Sequence, residues 1–125
     1  MSEPAQVVEE YLIAFNEQDI PALSELFESI SDDFIEGSKA WWSAFPDLKL
    51  TKNRMVANES HAVLHFTFRG THEGEFKGFA PTGKNVEVTE MMMFSVEDGK
   101  ITDRWVEWDE LGFYQQLGII DHPTK

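Results

Sequence analysis

Apolar residues recur every three or four positions in the first third of the chain, and at alternate positions through most of the remainder. The first spacing is typical of amphipathic helices, and the second is typical of strands with one buried face. Together they predict helices at residues 4–15, 19–27, 32–45 and 111–117, and strands at residues 48–56, 61–71, 86–96 and 101–109. Helices followed by strands indicate an α+β fold, in which helices pack on one face of a curved, mainly antiparallel sheet.

The last two predicted strands form a hairpin that brings carboxylates close to aromatic side chains. Asp98 and Gly99 lie between them, and Asp-Gly is a strong hairpin signal because glycine accepts the positive φ of the turn. Strict alternation groups one face of the first strand as Val86, Val88, Glu90, Met92, Phe94 and Val96. It groups one face of the second strand as Ile101, Asp103, Trp105, Glu107 and Asp109. We therefore expect carboxylates beside Trp105 on the face that lines a pocket.

Length, charge and composition exclude several classes of function. The 125 residues predict one domain over residues 1–125. A formal net charge of −13 argues against nucleic acid and against anionic membranes as partners. Without cysteine there is no thiol or disulfide chemistry, and without an apolar leader or long apolar run we expect a soluble, cytoplasmic protein. Aromatic residues make up 13%, enough for a packed core and one wall of a small-molecule pocket.

Five short motifs follow one another in a specific order: Ala-Phe-Pro-Asp-Leu at 44–48, Gly-Thr-His-Glu-Gly-Glu-Phe at 70–76, Pro-Thr-Gly-Lys at 81–84, Asp-Gly-Lys-Ile at 98–101 and Gln-Leu-Gly at 116–118. The chain thereby resembles the SnoaL-like polyketide cyclase and ester cyclase family of the NTF2-like superfamily. The likeness covers nearly the whole chain. It implies a cone, in which a strongly bent antiparallel sheet wraps around the N-terminal helices and a pocket opens between them.

The resemblance also implies a function. Proteins of this family are similar in fold to ketosteroid isomerases and limonene-epoxide hydrolases. We therefore expect cofactor-free acid–base catalysis, cyclase- or isomerase-like, on a small hydrophobic carbonyl compound. A fold does not determine a function, however. A non-catalytic protein that binds an apolar ligand, and a structural NTF2-like homodimer, are the alternatives, so the sequence leaves open whether the chain is an enzyme.

Three residues are candidates for catalysis. Asp109 matches an aspartate that follows the tryptophan in many relatives, and a carboxyl group in an apolar pocket can exchange a proton with a carbon acid; alternatively it caps the last helix. Glu107, with Glu90 beside it, gives an acid and a base if both face the pocket. Alternatively, Glu107 turns outward at a bulge, or Glu90 pairs with Arg69 or Arg104. His72 is a further acid or base, or it ties down the following loop by hydrogen bonds.

The remaining pocket residues are aromatic or depart from the family. Phe15, Trp42 and Phe79 are expected to join Trp105, Glu90 and Met92 around the ligand, although core packing explains the helical aromatics as well. Relatives often carry His or Asp where this chain has Met92, and an acid where it has Val106. If the catalytic pair belongs there, this chain has lost it.

Two further features bear on partners. Between the second and third helices, after Phe27, about ten family residues are missing, so one pocket wall is expected to be absent, rebuilt or supplied by another subunit. The opposite sheet face groups four apolar residues, which predict a homodimer interface: Met91, Met93, Val106 and Trp108.

His61 and His65 lie about 13 Å apart on an ideal strand, too far to share a metal ion, and no other metal-binding spacing occurs.

Overall fold

The computed structural model describes residues 3–120. Its helices are α1 at Glu3–Asn16, α2 at Ile20–Leu26, α3 at Asp32–Ala44 and α4 at Glu110–Leu117. Its strands are β1 at Lys49–Ala57, β2 at His61–Thr71, β3 at Asn85–Glu97 and β4 at Lys100–Trp108. The predicted order of elements is confirmed. None of the described helices has the length and apolar character needed to cross a membrane.

Side-chain caps define where the helices begin. Asp19 accepts a hydrogen bond from the backbone N–H of Ala22, 3.1 Å away, and starts α2. Ser31 does the same for α3 through the N–H of Phe34 at 3.0 Å. Such caps satisfy backbone donors that a helix leaves without a partner in its first turn.

The four strands form an antiparallel meander in the order β1-β2-β3-β4. Register is continuous across its centre, where Leu64 of β2 pairs with Met92 of β3, and Met92 pairs with Val106 of β4. Asn16, the last residue of α1, joins the helices to this sheet. Its side chain donates to the carbonyl of Leu50 at 2.9 Å and accepts from the Leu50 N–H at 2.8 Å.

The core lies between α1 and the inner face of the sheet. Tyr11 of α1 meets Phe94 of β3 edge-on, with ring centres 5.1 Å apart. Phe66 and Leu64 of β2 are fully buried in the same layer. Each such side chain contributes about 2–3 kcal/mol through burial. The inner face predicted for β3 is confirmed, because its even-numbered residues from 86 to 96 point into this layer.

A bulge at Thr102 changes which side chains of β4 face inward. Ile101 pairs with Val96, but the next pair joins Asp103 to Ser95, so β4 uses two residues where β3 uses one. The Thr102 hydroxyl donates to the Ser95 carbonyl at 3.2 Å. An extra residue reverses the alternation beyond it. The strict alternation predicted for this strand is therefore wrong after Thr102.

The exchange of faces corrects two predictions. Arg104, Val106 and Trp108 face the core, and Asp103, Trp105 and Glu107 face outward. Trp105, expected in the pocket, is 46% exposed on the outer face. Val106 and Trp108, expected on the outer face with Met91 and Met93, lie on the inner one, where they pack against the core.

The short connection after α2, where one pocket wall was expected to be absent, rebuilt or supplied by another subunit, pairs directly with the sheet. Phe27 forms a one-residue parallel bridge with Ile101 of β4, and the Glu28 N–H donates to the Ile101 carbonyl at 3.0 Å. The Phe27 ring lies 5.0 Å from that of Phe34 on α3 and 6.3 Å from that of Tyr11. A single residue thus closes the gap between α2 and the sheet.

Candidate functional site

A cavity of about 360 Å³ opens between α1, α3 and the inner face of the sheet. Phe66 and Phe68 of β2, Met92 of β3 and Val106 of β4 form its floor, and Phe15 of α1 forms one side. The floor is apolar because these positions alternate toward the core along each strand. A space of this size is within the range that small-molecule sites occupy in proteins.

Tryptophans build the opposite side of the cavity. Trp41 of α3 and Trp108 of β4 meet edge-on, with ring centres 5.8 Å apart. Phe113 of α4 supports both rings, at 5.6 Å from Trp41 and 5.2 Å from Trp108. Interlocked rings of this kind hold their orientation, so they provide a rigid, flat surface for an apolar ligand.

Glu90 brings a carboxyl group into this apolar space. It lies on β3 one pleat from Met92, and the same alternation that buries its neighbours turns it inward. Burial raises the pKa of Glu90 from 4.5 to about 7, and the nearby charge of Arg104 lowers it in part. Within residues 3–120 the carboxylate accepts no hydrogen bond and has no cation within 4.0 Å. Both protonation states are therefore populated near neutral pH.

Tyr11 lies in the same part of the cavity. Burial raises its pKa to about 12, with a lowering by Arg104 and a further rise from Glu90. Its hydroxyl group therefore stays protonated at every physiological pH and remains a hydrogen-bond donor. Tyr11, Glu90 and Arg104 are close enough to influence one another electrostatically, so they form one polar cluster in the cavity.

Arg104 lies inward only because of the bulge at Thr102. Its guanidinium carbon lies 4.9 Å from the centre of the Phe34 ring, and Nη1 lies 3.6 Å from Sδ of Met92. The mouth of the cavity carries charges of both signs, from Asp33 of α3, Lys77 of the loop after β2 and Glu110 of α4.

Three of the pocket residues proposed from the sequence line this cavity, namely Phe15, Glu90 and Met92. The others lie elsewhere. Trp42 is buried behind Phe15, at 5.1 Å between ring centres, and Trp41 takes the position at the cavity. Phe79 is 42% exposed and contacts Tyr114, 6.3 Å away, without reaching the cavity.

The three candidate catalytic residues lie outside the cavity. Glu107 is exposed on the outer sheet face, one of the alternatives that the sequence left open. Asp109 caps α4, accepting from the Gly112 N–H at 2.8 Å. Neither carboxylate lines the pocket. Both residues follow the second of the alternatives that the sequence left open, because the bulge turns Glu107 outward and the start of α4 uses Asp109 as a cap.

His72 holds the loop that follows β2. It is fully buried, and its Nδ1 accepts a hydrogen bond from the Thr82 N–H at 3.2 Å. Its backbone N–H donates to the Lys84 carbonyl, and its own carbonyl accepts from Gly83, both at 2.9 Å. The ring stacks on Phe45 at 5.4 Å. These contacts give His72 the structural role that was one of its two predicted alternatives.

The family assignment follows from the chain and its fold together. The sequence profile of SnoaL-like polyketide cyclases matches residues 5–117. The chain belongs to the SnoaL-like polyketide cyclase family. A search of curated proteins gave no match.

Solved structures agree with this family. AclR from Streptomyces galilaeus, a proposed hydroxylase, is 26% identical with a TM-score of 0.85, over 97% of this chain and 85% of AclR. TsrD from Streptomyces laurentii is 28% identical with a TM-score of 0.82, over 94% of this chain and 96% of TsrD. IdmH from Streptomyces antibioticus, a proposed polyketide cyclase, is 26% identical with a TM-score of 0.82, over 92% of this chain and 98% of IdmH. The predicted family and its NTF2-like α+β fold are confirmed.

The lining residues that sequence reasoning did not assign to the pocket include Tyr11, Trp41, Arg104 and Trp108. Tyr11 and Trp41 are helical aromatics, a group for which core packing was the alternative interpretation. Arg104 and Trp108 were assigned to the wrong face, and the run Lys-Ile-Thr-Asp at 100–103 contains no residue type that identifies a bulge. Among the described residues, no three His, Cys, Asp or Glu side chains are grouped as metal ligands.

Proposed function

We propose that this protein binds a small, largely apolar carbonyl compound in the cavity and moves a proton at the carbon next to the carbonyl group, without a cofactor. Glu90 is the general acid and base. The observation that carries the proposal is a carboxyl group inside an apolar cavity, with a pKa raised by burial to about 7. A group that titrates near neutral pH both accepts and returns a proton efficiently.

The reaction begins with the Glu90 carboxylate, which takes a proton from the carbon and leaves an enolate. The negative charge develops on the carbonyl oxygen, where the Tyr11 hydroxyl group donates a hydrogen bond and the Arg104 charge gives electrostatic support. The enolate carbon then attacks a second carbonyl of the same molecule, which closes a ring, and the new alkoxide oxygen takes the proton back from Glu90. Alternatively, an enolate conjugated to a C=C bond takes the proton back from Glu90 at its distal carbon. The first outcome is a cyclisation and the second is an isomerisation.

The aromatic walls support binding of a ring-shaped substrate. Trp41 and Trp108 give a flat surface on one side, and Phe66 and Phe68 lie beneath. These groups exclude water, and a low-polarity surrounding strengthens the electrostatic effect of Arg104 on the developing charge.

A test uses 2-tetralone, a bicyclic ketone whose α-protons exchange slowly in neutral water. We expect the wild-type protein to accelerate exchange of these protons with D₂O, followed by NMR, and Glu90→Gln to reduce the acceleration at least about 100-fold. The rate should rise with pH through about 7, because the carboxylate is the base. Equal exchange rates in the two proteins would overturn the role of Glu90.

A non-catalytic binding protein is the second candidate. Met92 and Val106 are directly paired across β3 and β4 and both line the cavity, and these are the positions where the family resemblance implies polar groups. Such a floor suits an apolar ligand. Binding of 2-tetralone without any acceleration of exchange, measured by saturation-transfer NMR on the same samples, would support this candidate over the first.

We propose further that two copies associate through the outer sheet face. Val56, Val63, Met93 and Trp105 are register neighbours that form an apolar row across all four strands, and Met91 lies beside it. Exposure of 37% for Met93 and 48% for Met91 is unusual for apolar side chains on a sheet. In a chain with a net charge of −13, this uncharged row is the surface where a second copy meets least repulsion. The predicted interface is retained with Trp105 and the two valines in place of Val106 and Trp108.

A further inference from the structure

Arg104 is a cation that lines the cavity, and no carboxylate among residues 3–120 forms an ion pair with it within 4.0 Å. Its two recorded contacts are the face of the Phe34 ring at 4.9 Å and Sδ of Met92 at 3.6 Å. Neither contact carries a full negative charge. In the described part of the chain, no Asp or Glu oxygen lies within 4.0 Å of the guanidinium group.

Glu90 does not complete an ion pair with Arg104. The Glu90 pKa of about 7, raised by burial against the smaller lowering by Arg104, leaves this carboxyl group about half protonated at neutral pH. The cluster of Tyr11, Glu90 and Arg104 therefore carries a net positive charge under these conditions. A guanidinium group in such a setting retains donors that a ligand can satisfy, because it has five N–H donors and no acceptor.

A second cavity places Arg104 at a boundary between two environments. This cavity of about 250 Å³ has a polar lining that includes Ser29, Ser31, Thr102 and Asp103. Arg104 and Phe34 line both cavities. An elongated ligand whose apolar rings lie toward Trp41 would therefore present its other end to Arg104, on the side where the first cavity meets the more polar second cavity.

We propose that the substrate carries a free carboxylate, and that Arg104 binds it while the reacting carbon faces Glu90. The planar guanidinium group matches the two oxygens of a carboxylate with two parallel N–H donors, a geometry that lysine does not provide. Arg104 thus determines specificity, selecting an aromatic or alicyclic keto acid over its neutral ester or amide. The inference rests on the proposed use of the cavity, but it concerns binding and can be tested without turnover.

The test compares 2-naphthoate with 2-naphthamide, which has the same shape and no charge, by isothermal titration calorimetry. We expect the wild-type protein to bind naphthoate at least about tenfold more tightly than the amide, as for a charge-assisted bidentate contact. Arg104→Met should abolish this preference and leave amide affinity within about twofold. Arg104→Lys keeps the positive charge and the fold of β4 but loses the two parallel N–H donors of the guanidinium group. This variant should retain part of the preference for naphthoate.

Lys77→Met is the matched control, because Lys77 is a second cation lining the cavity and lies at its mouth. This variant should keep the wild-type preference. The assignment to Arg104 would be overturned if the preference for naphthoate over the amide survived in Arg104→Met or disappeared in Lys77→Met. It would also be overturned if the wild-type protein bound the amide more tightly than naphthoate, or bound no detectable naphthoate. Glu90→Gln should bind naphthoate at least as well as the wild type, so loss of proton exchange with retained naphthoate preference separates catalysis from recognition.

Discussion

Glu90 shows how the position of one residue sets its chemistry. On β3 it lies in a series of inward-facing positions that otherwise hold valine, methionine and phenylalanine. A charged carboxylate is poorly solvated there, and burial therefore stabilises the protonated form. A group with this property lowers the stability of the folded protein whenever it is ionised, and such a cost is common at functional sites.

The free energy of unfolding should reveal this effect through its pH dependence. The pKa of Glu90 is about 7 in the folded protein, above the 4.5 of an unburied glutamate. The folded state therefore holds more protons, and stability is lost as pH rises from about 4.5 to 7. Glu90→Gln stays neutral, so it should be more stable than the wild type by about 3 kcal/mol at pH 8 and by less than about 1 kcal/mol at pH 5.

Urea unfolding at both pH values, followed by tryptophan fluorescence, measures this difference. Glu107→Gln is the matched control, because Glu107 lies on the adjacent strand with its side chain exposed. It should change stability by less than about 0.5 kcal/mol at either pH. A Glu90→Gln gain that is the same at pH 5 and pH 8 would contradict the raised pKa.

At the scale of single elements, β4 shows how one inserted residue redirects a strand. The bulge at Thr102 sends Arg104, Val106 and Trp108 into the cavity and sends Trp105 and Glu107 outward. The strand then ends where Asp109 begins α4, and this aspartate is used to cap the helix. The added Cβ of a residue at position 112 would lie 2.2 Å from Asp109 Oδ2, so any larger residue there would require the Asp109 side chain to shift.

Substitution of Asp109 separates capping from catalysis. Asp109→Ala removes the acceptor for the Gly112 N–H and should lower the free energy of unfolding by about 1 kcal/mol. Asp109→Asn keeps a capping side chain and should change stability by only a few tenths of a kcal/mol. Both variants should exchange the protons of 2-tetralone at the wild-type rate, since Asp109 does not line the cavity. If Asp109→Asn were as stable as the wild type but exchanged the protons of 2-tetralone more slowly, Asp109 would have a catalytic role.

At the scale of the molecule, the single sheet serves two surfaces. Its inner face combines with α1 and α3 to enclose the cavity, and its outer face carries the apolar row across the four strands. A contiguous exposed apolar row of this kind indicates a contact surface. Helices cover the inner face, so a second copy of the chain is the proposed cover for the outer one.

Sedimentation velocity at micromolar concentration tests this association. The wild-type protein should sediment as a dimer, and Trp105→Lys should sediment as a monomer, because two lysines would face each other across an apolar interface. Leu111→Lys is the control, since Leu111 is equally exposed at 49% but lies on α4, away from the row. A monomeric wild type, or dissociation by Leu111→Lys alone, would contradict the proposed surface.

Local patterns were enough to predict the elements, their order and the family. Alternating residues identified β3 and placed Glu90 and Met92 on its inner face, because this signal depends only on neighbours along the chain. The cavity depended on more distant relations. The bulge between Ile101 and Asp103, where Thr102 has no partner in the register with β3, decided which side of β4 faces inward, since a shift of one residue exchanges every side chain beyond it. In the structure Arg104 and Trp108 line the cavity, whereas Trp105, Glu107 and Asp109, which were expected there, do not. The sequence could not show this, because strand pairing forms only between segments that the fold brings together.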